Sequence, residues 1–196
     1  MPNALDYTVF KFSEEKRKKI RNELNLNEKK IIGHVGRFNE QKNHDFLIDI
    51  FYELHKQEAN THLLLIGKGE LEEKIKNKIS NLGLDEFVTI LPPVPNVNEY
   101  YMAMDVFVFP SFFEGMPNVV VEAQATGLPC VISDTITKEA NITQNIVYRS
   151  INEEILNWTK SIISLFNMPR NDMESIFRKK NYLINNIVEM CNKYFF

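Results

Sequence analysis

The sequence has 196 residues, enough for one domain with a sizeable buried core and too few for two full ones. Apolar residues at 44% and charged residues at 25% are ordinary globular values and exclude a disordered or collagen-like chain. The 23 basic and 26 acidic side chains give a net charge of -3, and with the cations scattered rather than clustered no nucleic-acid partner is expected.

The longest apolar runs, such as 106–110 and 119–121, fall far short of the roughly 20 residues of a membrane helix. No secretion signal is legible, and Cys130 and Cys191 show no CxxC or partner spacing, so free thiols in a reducing, cytoplasmic setting are expected.

In chain order, residues 1–12 read as an extended segment. Ser13 then caps a short charged helix with Glu14 and Glu15 in its first turn, where the helix dipole favours acids. Beyond it, short β-branched runs alternate with amphipathic stretches, the pattern of a parallel sheet covered on both faces. Strands are predicted over 31–36, 62–67, 87–91, 106–110, 129–133 and 145–148. Helices are predicted over 45–58, 70–82, 98–104 and 118–126. Phe46, Ile50, Phe51 and Leu54 mark the apolar stripe of the first of these, and Leu71, Ile75, Ile79 and Leu82 that of the second. Two further helices, over 153–167 and 172–193, follow the last strand. The expected fold is α/β, a Rossmann-like doubly wound parallel sheet of about six strands, with a domain over 13–150 and terminal helices over 151–196.

In such a sheet ligands sit outside the carboxyl ends of the strands, so the loops after the strands are the places to search. The loop from Gly36 to Lys42 carries Arg37 and Lys42 five residues apart. If the turn folds back, the two converge on one anion, with the guanidinium binding phosphate oxygens in bidentate fashion and the ammonium adding a point charge. The alternative is a pair of solvated loop cations.

The loop from Pro110 to Asn118 places Glu114 eight positions before Glu122. Gly115 leaves the backbone open to a ligand, and Met116, Pro117 and Asn118 lead into a helix N-terminus, a natural phosphate site. Glu122 lies amid Val119, Val120, Val121 and Ala123. A carboxylate there needs a partner such as a ribose diol, unless it turns to solvent.

Gly67-Lys68-Gly69-Glu70 begins like a dinucleotide fingerprint, but Glu72 stands where the third glycine belongs; the stretch reads as a tight turn or as a cleft wall. The four histidines, at 34, 44, 55 and 62, have no metal-ligand spacing and read as structural or exposed. Neither a G-x-S-x-G elbow, a Walker loop nor an Asp-x-Asp metal motif is present.

These motifs together resemble the C-terminal, donor-binding domain of retaining GT-B glycosyltransferases of family 4, the glycosyl transferases group 1. The resemblance runs from Pro2 to about Trp158. Pro2-Asn3-Ala4-Leu5-Asp6 is similar to the family's interdomain linker, and Val35-Gly36-Arg37 through Lys42 to its phosphate loop. The stretch from Phe109 to Pro117, with Glu122 to Pro129, is similar to its paired-glutamate signature. The segments 125–130 and 133–139 look most like capsular or exopolysaccharide enzymes.

The resemblance implies a donor site in which Arg37 and Lys42 hold the diphosphate and Glu122 holds the ribose. Glu114 and the stretch Gly115–Asn118 address the sugar, and the loop 93–97, with Val94, frames the base. Gly36 and Gly67 line the site. It implies transfer of a sugar from a nucleotide-sugar, first among them a UDP-sugar, to a glycan or lipid-linked acceptor with retention, and no metal or other cofactor. It places the intact enzyme in the cytoplasm, at the inner face of the cell membrane.

The acceptor-binding N-terminal domain of the family has no counterpart in this sequence. The chain is therefore expected to bind nucleotide weakly and to transfer no sugar alone, and the terminal helices are expected to pack on this domain or on the absent one. Two rivals remain at this level: a nucleotide-sugar epimerase of the same fold, and a non-catalytic nucleotide-binding module.

Overall fold

The computed structural model describes residues 5–183. A single helical turn, α1 (Tyr7–Phe10), precedes α2 (Glu14–Glu23). Then follow β1 (Lys30–Val35), α3 (His44–Gln57), β2 (Thr61–Ile66), α4 (Glu72–Asn81), β3 (Val88–Leu91), α5 (Val97–Ala103), β4 (Val106–Phe109), α6 (Asn118–Ala125), β5 (Cys130–Ser133) and β6 (Ile146–Arg149). Helices α7 (Ile155–Leu165) and α8 (Glu174–Lys179) close the described chain.

The six strands form one sheet in the order β3-β2-β1-β4-β5-β6, parallel throughout. This is the doubly wound arrangement expected from the sequence. Successive side chains of a strand point to opposite faces, so a buried strand must be apolar on both. In β4, Val106 and Val108 enter the core beneath α3, α4 and α7, whereas Phe107 and Phe109 enter the opposite core with Tyr101 of α5 and Val120 of α6. Every residue of β2 is buried.

Helix ends follow local chemistry. Ser13 caps α2 by accepting the Lys16 amide. After α6, Gly127 takes φ 70°, a left-handed conformation that glycine adopts without a Cβ penalty, and Leu128 N–H returns to the Ala123 carbonyl at 3.1 Å.

Two expectations need correction. Residues 7–10 are not extended: Asp6 accepts from the Thr8 amide at 3.0 Å and nucleates a turn. The last predicted helix, 172–193, does not run through. Asn181 adopts φ 60°, Tyr182 N–H returns to the Phe177 carbonyl, and Leu183 pairs in parallel with Leu5. Asparagine tolerates this left-handed stop better than most residues. Positions 184–193 of that predicted helix, and Cys191, lie outside the described residues.

The described terminal helices pack on the sheet domain itself. Trp158 of α7 is fully buried, edge-on to Phe46 of α3 at 5.7 Å. Phe177 of α8 is fully buried beside Leu5, Tyr7 and Val121. Among the described residues no helix is long and apolar enough to cross a membrane.

Candidate functional site

The order of strands reverses between β1 and β4, so the chain leaves them toward opposite sides and a crevice opens at their carboxyl ends. The two flanking loops are tied together there. Phe112 N–H donates to the Gln41 carbonyl at 2.9 Å, and the Gln41 side-chain amide donates to the Phe113 carbonyl at 2.9 Å. Lys42 forms an ion pair with Glu114.

The turn after β1 folds back, and Arg37 and Lys42 each face a separate glutamate. Asn39 caps a 3-10 turn over Glu40–Lys42, and Asn43 follows at φ 54°. Lys42 comes to rest over the Phe109 ring at 4.9 Å and is mostly buried. It also lies close over Gly36, where a Cβ would sit 3.4 Å from its Cε. Arg37 behaves differently: its side chain is 71% exposed and pairs with Glu70 at 3.2 Å.

A cleft of about 750 Å³ opens beside this loop, walled by Gly36, Arg37, Gly67, Lys68, Val94 and Val97 among others. Four sequence-predicted residues, Gly36, Arg37, Gly67 and Val94, thus share one wall. Gly67 serves the fold as well, because a Cβ there would overlap the Gly36 carbonyl oxygen. Gly115 is the opposite case: among the described residues nothing lies within 4 Å of where its Cβ would be, so no contact there demands a glycine.

The two glutamates are held in parallel ways. Oε1 of Glu114 receives both the Lys42 ammonium and the Ser111 hydroxyl, the latter at 3.0 Å. Ser111 is fully buried, and its carbonyl accepts from the Thr135 hydroxyl at 3.2 Å. Oε2 of Glu122 accepts from the Tyr101 hydroxyl at 3.0 Å. Burial pushes the Glu122 carboxyl above the ordinary range, and the Tyr101 hydrogen bond pulls it part of the way back. Each carboxylate keeps its other oxygen without a protein hydrogen bond among the described residues. Met116 and Pro117 fix the start of α6, Met116 half-buried and Pro117 buried, and that helix has no side-chain cap. Neither Lys42, Glu114 nor Glu122 lies in the cleft wall itself; Lys42 lies against Gly36 of that wall, and Glu122 is bonded to buried Tyr101, which stands on α5 one helical turn beyond Val97 of the wall.

Beneath Lys42 lies a pair of buried histidines that the sequence marks only as structural or exposed. His34 Nδ1 is 2.9 Å from the Val108 carbonyl, which can only accept, so that nitrogen carries the proton. The rings of His34 and His44 meet edge to face at 4.6 Å, and among the described residues His34 Nε2 and both nitrogens of His44 have no hydrogen-bond partner. Burial first, and Lys42 as a lesser cause, drive His34 down to about 4 and His44 to about 2, so both rings are neutral. Among the described residues no group of three potential metal ligands comes together.

Sequence reasoning missed Tyr101, Ser111 and Thr135. A half-buried glutamate in an apolar helix signals that some hydroxyl donor must exist, without saying which.

Comparison with known proteins bears on this geometry. The chain is 41% identical over 133 residues to EpsF of Bacillus subtilis, which is named as a glycosyltransferase, covering 67% of this chain and 35% of that one. It is 33% identical over 136 residues to the capsular polysaccharide biosynthesis glycosyltransferase CapM of Staphylococcus aureus, covering 69% and 35%. The chain therefore spans about a third of the length of these relatives. Among solved structures, Anabaena HepE in complex with UDP superposes with a TM-score of 0.82 at 20% identity, over 97% of this chain and 55% of that one. The family model described as Glycosyl transferases group 1 matches residues 29–166, which hold the whole sheet from β1 to β6 and every candidate site residue, and the chain belongs to that family.

Proposed function

We propose that this chain is the donor-binding half of a retaining glycosyltransferase that moves a sugar from a UDP-sugar to a glycan or lipid-linked acceptor in capsular or exopolysaccharide biosynthesis. The observation that carries the reading is the joining of the β1 and β4 loops at the switch point, which brings the Lys42–Glu114 pair beside the cleft walled by Gly36, Arg37, Gly67 and Val94.

In this reading the base rests against Val94 at the mouth of the cleft, and the ribose diol meets the unoccupied oxygen of Glu122. Arg37 swings from exposed Glu70 to the diphosphate, and Lys42 exchanges part of its hold on Glu114 for a phosphate oxygen. Glu114, still held by Ser111, turns its other oxygen to the donor sugar, and the stretch Gly115–Asn118 at the head of α6 lies alongside.

Transfer breaks the bond between the anomeric carbon and the diphosphate oxygen and forms one to the acceptor hydroxyl oxygen on the same face, the hydroxyl proton passing to the departing diphosphate. The two cations stabilise the negative charge that gathers on the departing diphosphate. No metal enters this scheme. The acceptor comes from a partner domain at the cleft mouth, in an enzyme that works in the cytoplasm at the inner face of the membrane.

Thermal melting of the chain with millimolar UDP, GDP, ADP or NAD tests the reading. Ligand at about 100 times its dissociation constant adds roughly 2.7 kcal/mol, a shift of about 5 to 10 °C for a domain of this size. The expected result is a shift with UDP that Arg37→Ala removes, the substitution costing roughly ten- to a hundredfold in affinity. UDP that leaves the melt unchanged at saturating concentration overturns the assignment.

A further inference from the structure

Tyr101 is fully buried on α5, its ring edge-on to Phe107 at 5.7 Å, and its one polar atom donates to Glu122 Oε2. The helices that carry the two residues are clamped at their far ends by one side chain. Half-buried Arg170 donates to the Tyr101 carbonyl at 3.3 Å and to the Met104 carbonyl at the end of α5, and to the Thr126 carbonyl at 3.2 Å at the end of α6. The spacing between phenol and carboxylate is therefore set by two anchored helices rather than by two flexible side chains.

Packing alone does not explain this pair. Position 122 follows Val119, Val120 and Val121, where an apolar residue would pack without desolvating a charge. With the glutamate in place, one oxygen is fixed by the phenol and the other has no protein donor among the described residues, so on this half-buried side chain it is open to a donor from outside the protein. The phenol also counters part of the burial that pushes the Glu122 carboxyl up.

We propose that Tyr101 is a specificity-determining positioning residue: by holding Oε2 of Glu122 it aims Oε1 at a vicinal diol, so that the chain selects ribonucleoside over 2′-deoxyribonucleoside diphosphates. This rests on the donor-site reading. Removing the phenol lets the carboxylate rotate and fill its acceptor sites with water, and the diol then competes with water on nearly equal terms with a single hydroxyl.

Titration calorimetry of the chain with UDP and with 2′-deoxy-UDP reads the effect directly. The wild-type chain is expected to prefer UDP by about tenfold, one hydrogen bond to a charged acceptor. In Tyr101→Phe that ratio falls toward one, through loss of UDP affinity with 2′-deoxy-UDP little changed. A merely structural phenol would weaken both nucleotides alike, and an unchanged ratio in a folded Tyr101→Phe overturns the assignment while leaving the donor site standing. If that variant fails to fold, Glu122→Ala, which removes the acceptor that Tyr101 holds and puts no other polar group in its place, must lose the preference instead; a retained preference there overturns the assignment. A wild-type chain that binds neither nucleotide overturns the donor-site reading and this one with it.

Discussion

The two ends of the sheet treat buried polar groups in opposite ways. At the amino ends of β1 and β4, Asp105 accepts from Arg17 at 2.7 Å, from Arg21 at 3.3 Å and from the Ile31 amide at 2.7 Å. Arg17 and Arg21 in turn donate to the carbonyls of Met102, Ala103 and Met104 and of Asn27 and Lys29. At the carboxyl ends of the same strands, two histidines carry unpartnered nitrogens, and two glutamates each keep an oxygen unmatched by the protein. A saturated network holds the fold together, whereas an unsaturated one leaves capacity for something else to bind.

The largest effect that would test this contrast is at the saturated end. Asp105→Ala strands two largely buried guanidinium groups, and urea denaturation should show a loss of about 3 to 5 kcal/mol, the usual cost of breaking a buried pair. A loss below about 1 kcal/mol would mean that the carbonyl partners suffice.

At the other end, acid is the probe. His34, depressed to about 4, and His44, to about 2, are neutral in the folded chain and ordinary in the unfolded one. A base with a lowered folded value contributes stability that is complete above its unfolded value near 6.5 and is lost as pH falls toward the folded value. Between pH 7 and pH 5 each ring should therefore cost about 2 kcal/mol. His44→Leu, which removes two unpartnered nitrogens, should flatten the acid limb by about that amount while costing little at pH 8. An acid limb unchanged in that variant would assign the loss to other groups.

The smallest effect sharpens the comparison most. Gly115→Ala has open space around its Cβ and should leave stability within about 0.5 kcal/mol of wild type. If the loop addresses a ligand, the same methyl should weaken donor-sugar binding; a variant equal to wild type in both respects would remove Gly115 from the site.

How much of this was legible in the sequence varies with the range of the interaction. The six strands and α3 to α7 follow from apolar periodicity, which records burial directly. The stop at Asn181 and the turn after Asp6 were missed because asparagine and aspartate serve many local purposes, and neither forces one. Loop position marks the segments that hold Gly36, Arg37 and Gly67, since the parallel topology dictates where loops gather, and the family resemblance adds Val94 and joins them in one site. Neither signal marks the partners Tyr101 and Ser111: each lies within an apolar run, and only the packing of α5 on α6, or the path of the β4 loop, turns its hydroxyl toward a carboxylate.

The Lys42–Glu114 pair has a consequence for the speed of encounter. With the lysine cancelled by a glutamate and Arg37 facing Glu70, the empty loops present little net positive potential to an approaching dianion. Long-range steering is then weak, and the association rate should fall only gently as ionic strength rises through physiological values, where charges more than about 8 Å apart are screened in any case. In the proposed donor site the same cations become available once a nucleotide is in place, so added salt is expected to act on how long it stays rather than on how fast it arrives.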